Sequence, residues 1–125
     1  MRCGAARTTI AGMAVRQTRY GSVEEVHAGA DLEAWWILKE DEAIEPAPAV
    51  MDRDDLLYVA EGSLRLELEG REPFVLRAGE LFVIPAGTPF RGYRWPRESG
   101  KRCRFLAVAP ARSSFTRLQD RRRAG

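Results

Sequence analysis

Leu64, Leu66 and Leu68 alternate with Arg65, Glu67 and Glu69. A two-residue period gives a strand one buried face and one wet face, and no helix can present it. The stretches around it have the same texture. Short apolar runs recur with turn signals at the spacing of roughly 8–12 residues that marks all-β domains. Residues 32–38, 56–60, 74–76, 81–84, 90–95 and 103–108 read as strands, punctuated by Gly62, Gly70, Gly79 and Pro85-Ala86-Gly87. The unbroken apolar run 81–84 reads as a buried strand. Residues 44–51 hold Pro46 and Pro48, which suit an extended edge or a loop. No helical period emerges before residues 115–123, where the pattern allows one short helix or none. About eight strands in this length leave a jelly-roll barrel or a sandwich, and the Cys–Trp–Cys spacing of an immunoglobulin sandwich is absent.

The chain has 125 residues, 45% apolar and 30% charged, enough for one domain with a core. Its net charge of +2 is unevenly spread. Residues 1–20 carry four Arg and no acid, residues 111–125 carry five Arg and one Asp, and the segment between them is net acidic. A nucleic-acid-binding domain concentrates positive charge on its folded body, so no nucleic-acid partner is expected. The expected organisation is an N-terminal arm over 1–19, a barrel over 20–110 and a basic tail over 111–125, with Arg121, Arg122 and Arg123 solvated. Met13 is as good a start as Met1. No apolar stretch reaches membrane-spanning length and no secretory signal is legible, so the expected location is the cytoplasm, away from membranes. Cys3 and Cys103 are too few for a disulfide framework or a thiolate zinc site. Cys103, inside a strand pattern, reads as a buried free thiol. His27, the single histidine, rules out a site built from several imidazoles and reads as a surface residue.

Two marks carry a family resemblance. One is Asp55-Leu56-Leu57-Tyr58-Val59-Ala60-Glu61-Gly62. The other is Gly79, five residues, Pro85-Ala86-Gly87, two residues and Phe90. In this order, with the alternating leucines between them, they resemble the two motifs of the cupin superfamily. The resemblance implies an all-β fold, the cupin-type double-stranded β-helix or jelly-roll barrel. It implies a homodimer as well, because related small cupins pair by strand exchange or sheet packing. Metal-binding cupins supply two His and a Glu from the first motif and a His from the second. Here the matching positions hold Ala49 and Met51 (Pro48 and Val50 if the spacer is one longer), Asp55 and Phe90. One carboxylate among such groups is a poor transition-metal ligand set. No metal site and no cofactor are therefore expected.

Strand alternation puts Phe90, Gly92 and Arg94 on one face, and Asp55, Leu57 and Val59 on another. The expected site is an apolar pocket floored by Met51, Leu57 and Phe90, with Asp55 and Arg94 as its catalytic polar groups. Arg94 would hold an anionic oxygen and Asp55 would move a proton. The structural alternative is an Asp55–Arg94 ion pair without a substrate. Trp35 and Trp36 must face opposite ways, and Trp36 is assigned to the substrate wall. Two functions remain open. One is a metal-independent cyclase, isomerase, epimerase or lyase acting on a small molecule in bacterial metabolism, secondary metabolism included. The other is a non-catalytic binding or sensing module. Metal-free cupins that epimerise dTDP-sugars are a precedent for the first, but their His base has no counterpart within these motifs.

Overall fold

The computed structural model describes residues 15–118. Eleven strands follow in order: β1 Val15–Thr18, β2 Gly21–Ala28, β3 Leu32–Lys39, β4 Ala49–Met51, β5 Asp55–Glu61, β6 Ser63–Leu68, β7 Phe74–Arg77, β8 Leu81–Ile84, β9 Phe90–Arg94, β10 Cys103–Pro110 and β11 Phe115–Arg117. One sheet has the order β1-β2-β3-β10-β5-β8 and the other β11-β4-β9-β6-β7, with every pairing antiparallel. Two facing sheets built this way form the expected jelly roll.

The leucine alternation behaves as read. Leu64, Leu66 and Leu68 are buried and meet Leu57, Val59, Leu76, Ile84, Cys103 and Phe105 between the sheets. Gly62 makes the β5–β6 turn at φ 77°, and a Cβ there would run into the Arg102 carbonyl. Both the left-handed backbone and the close approach therefore require glycine.

Three expectations need correcting. Val15–Thr18 belongs to the six-stranded sheet, so the first sheet begins before residue 20. The segment after residue 110 is no free tail at its start, since Phe115–Arg117 pairs with Ala49–Met51 as β11. Leu81–Ile84 is not buried on both faces: β8 ends its sheet, and Leu81 and Val83 are exposed. An apolar run marks an inner strand only when both faces are covered. Cys3, Met13, Arg121, Arg122 and Arg123 lie outside the described residues.

On the outer face of the six-stranded sheet, Leu81, Tyr58, Leu106 and Trp36 stand side by side across four strands. Val83, Leu56, Val108 and Ala34 form the next row. Leu81 is 56% exposed and Val83 45%, so this apolar face is open to solvent at its β8 edge.

Candidate functional site

A cavity of about 510 Å³ lies between the two sheets, large enough for a small organic molecule. Its wall is built from the inward period of each strand. Trp35 and Ile37 come from β3, Leu57 from β5, and Phe105 and Ala107 from β10. The second sheet adds Leu64 and Leu66 from β6, Phe90 and Gly92 from β9, Met51 from β4 and Phe115 from β11. Ala107 and Gly92 are small, which leaves the space open. A Cβ on Gly92 would already sit 3.2 Å from Leu66 and 3.4 Å from Leu64.

Asp55 is the buried acid of this wall, 7% exposed. Among the described residues no hydrogen bond or salt bridge holds its carboxyl, and burial alone raises its pKa from 3.8 to about 6. Desolvation disfavours the anion, and no neighbouring cation offsets it. The result is a carboxylate titrating close to neutrality, the range in which a side chain can both take and return a proton.

Met51, Leu57 and Phe90, expected around Asp55, line the same cavity. Of the two framings of the first motif, the inward residues are Ala49 and Met51, both buried. Arg94 does not join them. Its guanidinium donates from Nε and Nη2 to the Arg97 carbonyl at 2.9 and 2.7 Å, and from Nη1 to the Glu40 carbonyl at 2.7 Å. The Asp55–Arg94 ion pair, the structural alternative to a substrate site, is not among the salt bridges of the described residues. Arg94 pairs with the buried Leu64 and so shares the inward face of β9, but it ends β9, beside the loop that closes the barrel. It therefore clamps the chain there. Trp36 is also displaced from the expected site. It points to the outer face, with the Arg104 guanidinium 3.8 Å from its ring centroid, and Trp35 takes the cavity side.

Three lining groups were not singled out in the sequence, Lys39, Phe115 and Arg117, and Trp35 was not the tryptophan assigned to the wall. For β3 the signal was available, because Glu33, Trp35, Ile37 and Lys39 share one face by the period of two. Their partners on β10 are Ala109, Ala107, Phe105 and Cys103, all buried. Arg117 forms a salt bridge to Glu45 at 3.2 Å. Arg91 pairs with Glu67 at 2.7 Å, and the Tyr93 hydroxyl donates to the other Glu67 oxygen at 2.6 Å. The Tyr93 bond, followed by Arg91, holds the Glu67 carboxyl below its ordinary pKa. Cys103 is fully buried and its thiol is pushed up to about 12 by desolvation, so it is packing and not a nucleophile. His27 is exposed, as expected of a surface residue.

A family model described as a cupin domain matches residues 34–109. The chain belongs to the cupin family. Solved cupin-fold structures agree. The polyketide cyclase RemF from Streptomyces resistomycificus is 21% identical over 87% of this chain and 82% of its own, with a TM-score of 0.69. KdgF from Halomonas sp. is 26% identical over 79% and 89%, with a TM-score of 0.62. Vicilin from hazelnut, Corylus avellana, is 20% identical with a TM-score of 0.71; 85% of this chain spans only 35% of the vicilin chain. No curated protein sequence matches the chain.

Many cupins hold a metal at the positions that Ala49, Met51, Asp55 and Phe90 occupy here. This donor set does not fit one. It offers a carboxylate and a thioether between a methyl and a phenyl group, whereas transition ions take several N, O or S ligands in fixed geometry. Among the described residues no three His, Cys, Asp or Glu side chains cluster as a metal site. No helix of the described residues is long and apolar enough to cross a membrane.

Proposed function

We propose that this cupin is a metal-independent enzyme acting on a small organic molecule, with Asp55 as its general base. The observation that carries the reading is the Asp55 carboxyl, unpartnered and titrating near 6 on the wall of an apolar cavity. A buried acid without a partner destabilises the fold, and such sites are where catalytic groups are commonly tuned. At neutral pH most of the population is ionised. Asp55 takes a proton from an activated C–H, the electron pair moves onto the adjacent carbonyl, and the proton is returned at another carbon or face. That exchange is the core of an isomerase or epimerase. If the carbanion instead attacks a second carbonyl, or expels a leaving group, the outcome is cyclisation or elimination. The fold shared with a polyketide cyclase makes cyclisation in bacterial secondary metabolism a natural member of this set.

Met51, Leu57, Phe90 and Trp35 are the proposed substrate wall. No cofactor is needed for these steps. The proposed setting is the cytoplasm, where the free thiol of Cys103 is at home. The apolar outer rows around Tyr58, Leu81 and Val83 support a homodimer through the six-stranded sheet.

The test is exchange of α-hydrogen for deuterium in D2O, followed by NMR on enolisable ketones that fit the cavity, 2-tetralone first. The wild-type protein is expected to accelerate exchange and Asp55→Asn to lose about two to four orders of magnitude of it. If both proteins match buffer while the ketone still binds, the second reading stands: a binding module whose cavity performs no chemistry.

A further inference from the structure

Apart from Asp55, the charged groups around the cavity divide into those answered by a partner or by solvent and one that is not. Arg117 is held by Glu45 and Arg91 by Glu67. Glu33 accepts the backbone N–H of Arg112 at 2.7 Å. Arg16 stands exposed on β1. Lys39 differs from all of these. It is partly buried, it lines the cavity, and it forms none of the salt bridges of the described residues. Its ammonium faces the Tyr20 ring, 5.7 Å from the centroid. Burial pulls its pKa below the usual lysine value, opposed by the charge of Glu45 and reinforced by that of Arg117. A partly desolvated ammonium that faces an aromatic ring and forms none of the salt bridges of the described residues has donor capacity to spare.

Its place along the barrel matters as much as its state. Trp35, Ala107 and Leu57 lie in one row across β3, β10 and β5. β3 and β5 both run antiparallel to β10 and so parallel to each other; Lys39 is four residues past Trp35 on β3, while Asp55 is two residues before Leu57 on β5, on the opposite side of that row. At about 3.3 Å per residue the two backbone positions are roughly 20 Å apart along the strands. The space between them is apolar, walled by Trp35, Ile37, Phe105 and Leu66.

We infer that the substrate is an elongated apolar molecule with a carboxylate or other acidic oxygen at one end, held by Lys39, while its reacting carbon lies at Asp55. This rests on the cavity being the substrate site, and it adds the chemical class of the substrate. The anion supplies what Lys39 lacks, since a charge-assisted bond in a desolvated cavity is stronger than one in water. A neutral analogue of the same shape leaves the ammonium unpaired and is discriminated against.

The experiment compares 2-naphthoate with its neutral amide, 2-naphthamide, by tryptophan fluorescence and by calorimetry on the intact chain. The acid is expected to bind about tenfold tighter than the amide to the wild-type protein. Lys39→Met removes the preference and Lys39→Arg keeps it, while Asp55→Asn keeps it too. Equal binding of acid and amide by the wild-type protein overturns the inference, whatever the variants do. So does a preference that survives in Lys39→Met with its melting temperature unchanged. Failure of both probes to bind overturns it as well. Deuterium exchange that depends on Asp55 while acid and amide bind equally would leave the acid–base reading standing and remove only the anion end. A preference for the acid without any exchange would do the reverse.

Discussion

Asp55 and Arg94 are buried to the same degree, each 7% exposed, and yet they stand in opposite conditions. Arg94 has its guanidinium spread over two backbone carbonyls, a loop end on each side. Asp55 has no such partner among the described residues and faces an apolar cavity. Burial alone therefore does not mark a functional group. What separates the two is whether the protein itself answers the charge. Where it does, the charge is a clamp, and where it does not, the charge is available to a substrate.

The largest effect that would break this contrast is on turnover. Asp55→Asn is expected to slow proton transfer by about 10²–10⁴-fold with the fold intact, read by deuterium exchange and a thermal melt. Wild-type rate in that variant would mean that the unanswered charge is idle.

Arg94→Met should show the opposite profile. It strips donors from the Glu40 and Arg97 carbonyls, and unfolding in urea should report a loss of about 3 kcal/mol. Activity per folded molecule should hold. A specific loss of turnover at unchanged stability would return Arg94 to the chemistry.

Stability against pH sharpens the comparison further. The folded-state pKa of Asp55 is raised from 3.8 to about 6, so between those values the folded chain holds a proton that the unfolded chain has released. Stability contributed by this group therefore falls as pH rises through that window. Above about pH 6 the ionised group costs up to about 3 kcal/mol relative to a neutral one. Asp55→Asn should accordingly be more stable than wild type at pH 7.5, with the advantage gone near pH 4, by denaturant titration at both values. In turnover the sign reverses. As a base Asp55 must be ionised, so kcat/KM should climb with pH through about 6.

Smaller changes serve as calibration. Tyr93→Phe removes the hydroxyl that donates to Glu67 at 2.6 Å, and about 1 kcal/mol should be lost in urea unfolding. Arg102→Gln breaks the exposed pair with Glu61 at 3.0 Å, and the melting temperature should not move measurably.

The strand period and the turn residues were sufficient to read the barrel. Gly62, Gly79 and the Pro85-Ala86-Gly87 turn set its corners, and the inward residues of β5, β6 and β9 followed from alternation. The same local rule placed Met51, Asp55, Leu57 and Phe90 on inward faces, and all four line the cavity. It failed where the answer lay across strands. Which of Trp35 and Trp36 turns inward depends on β3 pairing with β10, where Ala107 leaves room opposite Trp35. β11 was missed because a three-residue strand has almost no period of its own and exists by pairing with β4.

The linear chain was enough to fix the fold class, because a period of two and a few left-handed turns are properties of neighbouring residues. It also determined that the family's usual metal-ligand positions here carry alkyl, thioether, carboxylate and phenyl groups. Which charges are answered emerges from the folded arrangement alone. Arg94 finds its carbonyls on Glu40, more than fifty residues away in the chain, and on the turn just beyond β9. Lys39 and Asp55 come to one cavity from different strands. Desolvation and pairing depend on what surrounds a group in space, and residue spacing along the chain does not contain that information.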